Sequence, residues 1–214
     1  MTLPLMARRT KAECEATRNA LLDAAEAVFL EQGVSRTSLE QIARHAGMTR
    51  GALYWHFKDK DALFEAVRER AQVTSQELLE QLSSVGDHSN PLEALHENFR
   101  QVFSVVSQPR VQRVHTILLF RREFYDKITT DGQTRDITLE CLSRLTQTLK
   151  RMQQAGYTLT CPPEIAARMI HSTVSGLIHE WLRAPKSFNL SDEGQRVMEW
   201  ILAHIFPTDN ASPS

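Results

Sequence analysis

The sequence predicts an all-α protein of about nine helices. Apolar residues recur every three to four positions along almost the whole chain, and no segment shows the strict alternation of a half-buried strand. No internal repeat is apparent, and 214 residues with 42% hydrophobic composition are enough for a substantial core. We therefore expect an N-terminal three-helix domain over residues 7–58, a larger helical domain over 59–207 and a flexible tail at 208–214.

Two helices are predicted before residue 50. The first ends at Gly33 and buries one apolar face formed by Leu21, Ala25, Val28 and Phe29. Thr37 is predicted as the N-cap of the second helix, with Glu40 three residues later completing a capping box. The second helix then carries an apolar stripe, ends at Gly47, and buries Leu39, Ile42, Ala43 and Ala46.

A third, short helix is predicted after a tight turn at 46–48. Thr49 is placed to cap it, while Ala52 and Leu53 are expected to pack inward. A short helix, a turn containing glycine and a second helix with an exposed N-terminus form a helix-turn-helix, here residues 38–57. Such a motif reads double-stranded DNA in the major groove, which makes DNA the predicted partner.

The residue types at the start of this third helix suit base contacts. Arg50 is suited to bidentate hydrogen bonds with guanine, Thr49 to a phosphate or a thymine methyl group, and Gly51 to close approach of the backbone. The full set of predicted DNA-binding residues is Thr37, Ser38, Arg44, Thr49, Arg50, Gly51, Tyr54, Trp55, His56 and Lys60.

Three members of this set are interpreted as phosphate contacts, namely Tyr54, His56 and Lys60. Lys60 would lie near the N-terminus of a fourth helix, capped by Asp59. Two aromatic residues, Phe57 and Trp55, are expected to serve mainly in packing.

The charge of the chain is distributed unevenly. The net charge is −1, which by itself does not indicate a nucleic-acid partner. Residues 36–60 nevertheless carry an excess of positive charge, with Glu40 and Asp59 opposed by Arg36, Arg44, Arg50, Lys58 and Lys60. Taken alone, these charges favour an ordinary solvated surface, so the DNA prediction depends on the motif.

Composition and motifs argue against several other classes of protein. No run of about 18 uncharged apolar residues occurs, and the N-terminus lacks the apolar segment of a secretory signal, so we expect a cytoplasmic protein without membrane contact. Cys14, Cys141 and Cys161 lie far apart, without CxxC or paired histidine spacing, so neither a structural disulfide nor a metal is predicted. The absence of HExxH, GxSxG and carboxylate-histidine bundle motifs makes an enzyme or a cofactor-dependent protein the less favoured reading.

The segment GVSRTSLEQIARHAGMTRGALYWHFKDKDALF, residues 33–64, resembles the N-terminal signature of the TetR family. Residues 7–34 and the later segment APKSFNL, residues 184–190, are similar to the AcrR-like subgroup that represses multidrug efflux pumps. The resemblance implies a homodimeric repressor that binds a palindromic operator and is released by a small hydrophobic ligand. It also assigns His56 to a position where the family contacts phosphate.

The helices after residue 58 are predicted from periodicity, with breaks at GDHSNP, at Pro109 and at 131–132. The first of these helices runs from Lys60 to about Leu82, the second begins near Pro91, and a short third helix follows Pro109. A fourth helix passes through Ile137 and Leu149 and ends near Gly156. The last two helices are predicted at Pro163–Arg183 and Asp192–Phe206. The helix near Pro91 carries a stripe of Leu92, Leu95, Phe99, Val102, Phe103 and Val106.

The last two helices are the predicted dimer contact. Their apolar surface is wider than one domain needs to anchor a terminal helix, with Val197, Met198, Ile201, Leu202, Ile205 and Phe206. In the family, the corresponding helices form a four-helix bundle with the partner subunit, and a dimer would read two half-sites about 34 to 36 Å apart. An interior helix pair is the alternative.

The resemblance also implies an effector pocket between the helix that begins at Lys60 and the two C-terminal helices. An apolar pocket with a few imidazoles and a hydroxyl suits a hydrophobic or aromatic small molecule. The candidate lining residues are Phe99, Val102, His115, Leu119, Ile137, Cys141, Leu145, His171, Val174, Ser175, Ile178 and His179. For the aliphatic members, plain core packing is an equally good interpretation.

Several alternatives stay open. The chain could regulate a metabolic or stress operon, could sense oxidants through Cys14 or Cys141, or could activate rather than repress transcription. The operator, the regulated genes and the effector are not encoded in any motif of the sequence.

Overall fold

In a computed structural model, the described residues are 4–120 and 137–207, with side chains described at 11–70, 76–120 and 138–207. Over this part of the chain the structure has nine α-helices and one turn of 3₁₀ helix, Val85–Asp87, and no strand, which confirms the all-α prediction. The helices are α1 (Pro4–Gln32), α2 (Leu39–His45), α3 (Arg50–His56), α4 (Lys60–Ser84), α5 (Pro91–Val106), α6 (Pro109–Phe120), α7 (Ile137–Gln154), α8 (Pro163–Arg183) and α9 (Leu190–Ile205).

The described residues group into two compact units. The first contains residues 4–72 and 113–120, and the second contains 73–112 and 137–207. The functional domains expected at 7–58 and 59–207 stay a prediction, and the tail expected at 208–214 and the break expected at 131–132 lie outside the described residues. Among the helices described, none combines the length and apolarity needed to cross a bilayer.

The first unit is organised around the apolar face of α1. The four residues predicted for that face are all 3% exposed or less. They pack with residues of α2, α3, the start of α4 and α6. Phe29 contacts Phe64 edge to face, with ring centroids 6.1 Å apart. Gly33 ends α1 with a φ of 82°, a left-handed conformation that glycine adopts without strain.

Helix α2 is capped differently from the prediction. Ser38, not Thr37, is the N-cap, and Gln41, not Glu40, completes the capping box. Ser38 Oγ accepts from the Gln41 backbone at 3.2 Å, while the Ser38 backbone donates to Gln41 Oε1 at 2.7 Å. The reason is that Thr37 is 3% exposed and its hydroxyl donates to the Gly33 carbonyl at 2.8 Å, so its side chain closes the end of α1 instead.

A buried carboxylate connects three helices of the first unit. Glu26 of α1 is fully buried, and its Oε1 accepts from Arg70 Nη1 of α4 at 2.9 Å. Arg70 also donates to Asp23 at 2.7 Å, and Arg113 of α6 lies 3.7 Å from Glu26 Oε2. Removing one partner of such a pair is costly, because it leaves a charge without compensation in the interior.

In the second unit, α8 packs against α7 and α9, and α5 packs against α9. Four of the six residues in the predicted stripe of α5 are buried, namely Leu95, Phe99, Phe103 and Val106. Gly194 of α9 faces Phe103, whose ring atoms lie 2.8 to 2.9 Å from the point where a Cβ atom would stand. Glycine is therefore required for α5 and α9 to approach this closely.

Candidate nucleic-acid interface

The turn between α2 and α3 is closed by backbone hydrogen bonds. Gly47, with a φ of 66°, donates to the Arg44 carbonyl at 3.1 Å, and Met48 donates to the Ala43 carbonyl at 2.9 Å. Thr49 caps α3 as predicted, since its Oγ1 accepts from the Ala52 backbone at 3.2 Å. The local geometry is the predicted helix-turn-helix.

One face of α3 is anchored in the core and the other is open to solvent. Leu53 and Phe57, four residues apart, are 0% and 3% exposed, which confirms the packing role predicted for Phe57. Tyr54 and Trp55 are 41% and 69% exposed. The packing role predicted for Trp55 is wrong, because two residues from Leu53 a side chain points to the opposite side of a helix.

Arg50 lies on this open face and is held by two neighbours. Its Nη1 is 3.0 Å from Glu40 Oε1 of α2, and its Nη2 donates to the Tyr54 hydroxyl at 3.4 Å. The guanidinium carbon stands 5.2 Å from the centre of the Tyr54 ring, a cation–π distance. The hydrogen bond to Tyr54 and the Glu40 carboxylate both raise the pKa of Arg50, so the group presented at the start of α3 is a fixed cation.

Glu40 was not among the predicted site residues. The sequence suggested only a capping role for it, and its ten-residue separation from Arg50 matches no helical spacing of three or four. The pairing depends on how the turn folds α3 back against α2, which requires the tertiary structure.

The other predicted DNA-binding residues differ in accessibility. Ser38, Arg44, Thr49 and Gly51 are exposed, although the Ser38 hydroxyl also serves the α2 cap. His56 is half-buried and its ring contacts the Trp55 ring edge to face at 4.7 Å. Desolvation, and then the charge of Arg18, lower the pKa of His56 below its ordinary value, so at neutral pH it offers an uncharged imidazole rather than a cation.

The structure places two predicted contacts in internal roles. Thr37 is buried, and its side chain has no access to a ligand in this conformation. The Lys60 ammonium is half-buried and donates at 2.9, 3.2 and 3.0 Å to three backbone carbonyls that precede α2, those of Val34, Ser35 and Thr37. Asp59 caps α4 as predicted, with Oδ1 accepting from the Ala62 backbone at 2.7 Å.

The residues predicted to line an effector pocket have mixed surroundings. Phe99 and Leu145 are core residues, at 5% and 1% exposure. The half-buried members are Val102, His115, Cys141, His171, Val174 and Ile178, and the exposed members are Leu119, Ser175 and His179. His171 Nε2 lies 3.4 Å from Ser175 Oγ, while the side chain of Ile137 lies outside the described residues.

Burial changes the chemistry of two of these side chains. Desolvation lowers the pKa of His115, which favours a neutral imidazole at pH 7. Desolvation, with a smaller effect of the Glu140 charge, raises the pKa of the Cys141 thiol to about 11. The Cys141 side chain is therefore a protonated, weakly reactive thiol at neutral pH.

A polar cleft lies in the second unit between the end of α4 and the first half of α5. Its volume is about 490 Å³, and it is lined by Gln81, Ser84, Val85, His88, Ser89, Asn90, Glu93, Ala94, Glu97, Asn98 and Gln101. These residues do not include any of the predicted effector-binding residues.

Four of the six apolar residues predicted for the outward surface of α9 are buried, while Val197 and Ile201 are half-buried. Met198, Leu202, Ile205 and Phe206 are 4% exposed or less, so they belong to the core of the second unit. The large apolar side chains that are exposed on these helices are Ile165 at 49%, Met169 at 42% and Trp200 at 68%. The Trp200 ring stacks on His204 with centroids 4.0 Å apart.

Two family models match the chain. Residues 21–67 match a model described as bacterial regulatory proteins of the tetR family. Residues 90–206 match the C-terminal region of MAATS-type transcriptional repressors. The first match includes α2 and α3, and the second includes all of α5 to α9.

Known proteins resemble the chain over nearly its full length. The transcriptional regulator AcrR of Shigella flexneri is 39% identical over 205 residues, which are 92% of this chain and 93% of that protein. The structure of NalD, the secondary repressor of the MexAB-OprM multidrug efflux pump of Pseudomonas aeruginosa, is 32% identical with a TM-score of 0.72, covering 92% of this chain and 99% of that one. The SmeT–triclosan complex is 31% identical with a TM-score of 0.71, covering 93% and 96% of the two chains.

Lysines 58 and 60 provide a test of the internal role of Lys60. We expect Lys60→Met to lower the free energy of unfolding by about 1–3 kcal/mol, because three carbonyls lose a charged donor. Lys58→Met removes the same charge from a side chain that is 82% exposed, and we expect no measurable change. Chemical denaturation of both variants measures the difference, and equal stability of the two variants would contradict the assignment.

Proposed function

Because the chain belongs to the TetR family of bacterial transcriptional regulators, we propose that it represses a multidrug efflux-pump operon. In this proposal a homodimer binds a palindromic operator and a hydrophobic or aromatic small molecule releases it. The observation that carries the proposal is the full-length similarity to AcrR and to the efflux-pump repressor NalD, which extends through the C-terminal region and not only the helix-turn-helix.

The open face of α3 is the proposed reading surface. With Leu53 and Phe57 holding the opposite face in the core, the exposed N-terminal turn of α3 can enter the major groove as a rigid element. Arg50 would donate two hydrogen bonds to a guanine, and Tyr54 would contact the adjacent phosphate. Trp55, exposed on the same helix, has the reach to pack against the sugar-phosphate backbone.

The exposed apolar surface of α8 and α9 is the proposed dimer contact. Ile165 and Met169 are four residues apart and therefore share one face of α8. Together with Trp200 of α9 they leave large apolar side chains in water, which is costly unless a partner covers them. A two-fold dimer formed through this surface would present two α3 helices to half-sites on one palindrome.

Release by a ligand requires two conformations of the dimer. A ligand that binds more tightly when the two α3 helices are spaced wrongly for adjacent major grooves lowers operator affinity, and the coupling is reciprocal. A 100-fold effect corresponds to about 2.7 kcal/mol of differential binding. The triclosan complex of SmeT supports a hydrophobic aromatic ligand of drug size, and the histidines at 171 and 179 of α8 are the polar candidates for its recognition.

The oxidant-sensing alternative loses support at Cys141. A redox-sensing cysteine reacts as the thiolate, and a thiol with a pKa of about 11 is almost entirely protonated at pH 7. A small-molecule effector is therefore favoured over oxidant sensing through Cys141.

Variants of α3 test the DNA contact. With a duplex carrying the palindrome nearest to the start of its own gene, we expect Arg50→Ala and Tyr54→Ala each to weaken binding about tenfold to 100-fold, since each removes a major-groove or backbone contact. Lys186→Ala, an exposed cation in the segment between α8 and α9, is the control. Fluorescence anisotropy gives the affinities, and unchanged binding of both α3 variants would refute the assigned reading helix.

Triclosan and peroxide distinguish the two proposed signals. We expect saturating triclosan to lower operator affinity, and mild peroxide to affect the wild type and Cys141→Ser equally, because the Cys141 thiol stays protonated. Anisotropy titrations with each additive provide the measurement. Equal affinity of triclosan for free and operator-bound protein would contradict ligand release, and a peroxide effect abolished by Cys141→Ser or by Cys14→Ser would establish cysteine sensing instead.

Charged substitutions test the dimer surface. We expect Met169→Glu combined with Trp200→Glu to yield monomers in sedimentation velocity, because the substitutions place carboxylates in an apolar contact. Lys186→Glu, at an exposed position in the segment between α8 and α9, is the control for added negative charge. A double variant that sediments as a dimer would show that another surface holds the subunits together.

A further inference from the structure

Arg50 makes contacts through both of its terminal nitrogens. Nη1 pairs with Glu40 at 3.0 Å, and Nη2 donates to Tyr54 at 3.4 Å. A bidentate contact with guanine needs two donors from one guanidinium, aimed at O6 and N7. The Arg50 contact with a base and its contact with Glu40 are therefore in competition.

Glu40 is placed so that Arg50 can exchange the Glu40 contact for a contact with DNA. Both side chains are open to water, at 64% for Arg50 and 44% for Glu40, so the ion pair is screened and readily broken. Glu40 also comes from α2, one helix away, and its carboxylate lies on the surface that would face the duplex. Breaking the pair without a compensating partner leaves that carboxylate unpaired near phosphates.

We propose that Glu40 sets the DNA affinity of α3, because it withholds Arg50 from the phosphates of unrelated DNA and its ion pair with Arg50 must break before Arg50 contacts an operator guanine. The proposal rests on the proposed function, in which α3 reads DNA. On unrelated DNA a single phosphate contact would have to replace the Glu40 contact, with little gain. On the operator two fixed acceptors of guanine replace it, so Arg50 contributes to binding mainly at the correct sequence.

Glu40→Gln tests this idea, since glutamine keeps the size of the side chain but removes the charge. Because the ion pair must break before Arg50 contacts a guanine, we expect Glu40→Gln to raise operator affinity about threefold to tenfold in a dimer, which has two such pairs, and to raise the affinity for an unrelated duplex of equal length by less. The logarithm of the affinity for unrelated DNA should also fall more steeply with salt, by about 0.9 for each phosphate that Arg50 newly contacts.

Two controls separate this role from simple charge repulsion. Glu31→Gln removes an equal charge from the exposed end of α1 and is expected to leave the ratio of operator to unrelated affinity unchanged. Glu40→Gln in an Arg50→Ala background is expected to have no effect on that ratio or on the salt dependence, because Glu40 acts through Arg50. Thermal unfolding of each variant shows whether the fold of the first unit has changed. Glu40→Ala serves as a second variant that removes the same carboxylate.

An operator affinity that Glu40→Gln leaves unchanged, or raises equally in the Arg50→Ala background, would overturn the proposal and leave the reading-helix assignment intact. If Arg50→Ala alone did not weaken operator binding, the assignment of Arg50 as a reader would fail, and the role of Glu40 would fail with it.

Discussion

The position of α3, the proposed reading helix, depends on one ammonium group and three carbonyls. The loop between α1 and α2 has backbone acceptors that no helix satisfies, and Lys60 Nζ donates to three of them, at Val34, Ser35 and Thr37. This contact joins the first residue of α4 to the segment from which α2 begins at Leu39. Because a tight turn then joins α2 to α3, the placement of the open face of α3 follows from the same contact.

Periodicity predicted the helices well because each of them buries one face, and glycines at 33 and 47 end helices where their positive φ angles are needed. Choices between neighbours of similar type were less accessible to sequence reasoning. Thr37 and Ser38 are both good N-caps, and only the contact of Thr37 with the Gly33 carbonyl decides between them. The roles of Lys60 and Glu40 depend on long-range or cross-turn contacts, and the effector site carries no local motif at all.

Charge on this protein acts locally, through pairs, rather than through the total. Arg70 and Glu26 form a pair that is inside the first unit and supports its packing, whereas Arg50 and Glu40 form a pair that water can reach. The same attraction has different consequences because the surrounding dielectric differs. A nearly neutral chain can therefore have both a first unit stabilised by a buried ion pair and an exposed cation, Arg50, that can exchange its carboxylate partner for another acceptor.

The contact of Gly194 with the Phe103 ring has a genetic consequence. A side chain at position 194 would collide with a ring that is fully buried, so α9 would have to move away from α5. A repressor that loses this packing would leave its operon switched on without any change in a base contact or in the effector site. If the chain represses an efflux-pump operon, as proposed, inactivating changes selected by drug exposure would therefore fall on interior glycines and aromatic residues as well as on α3.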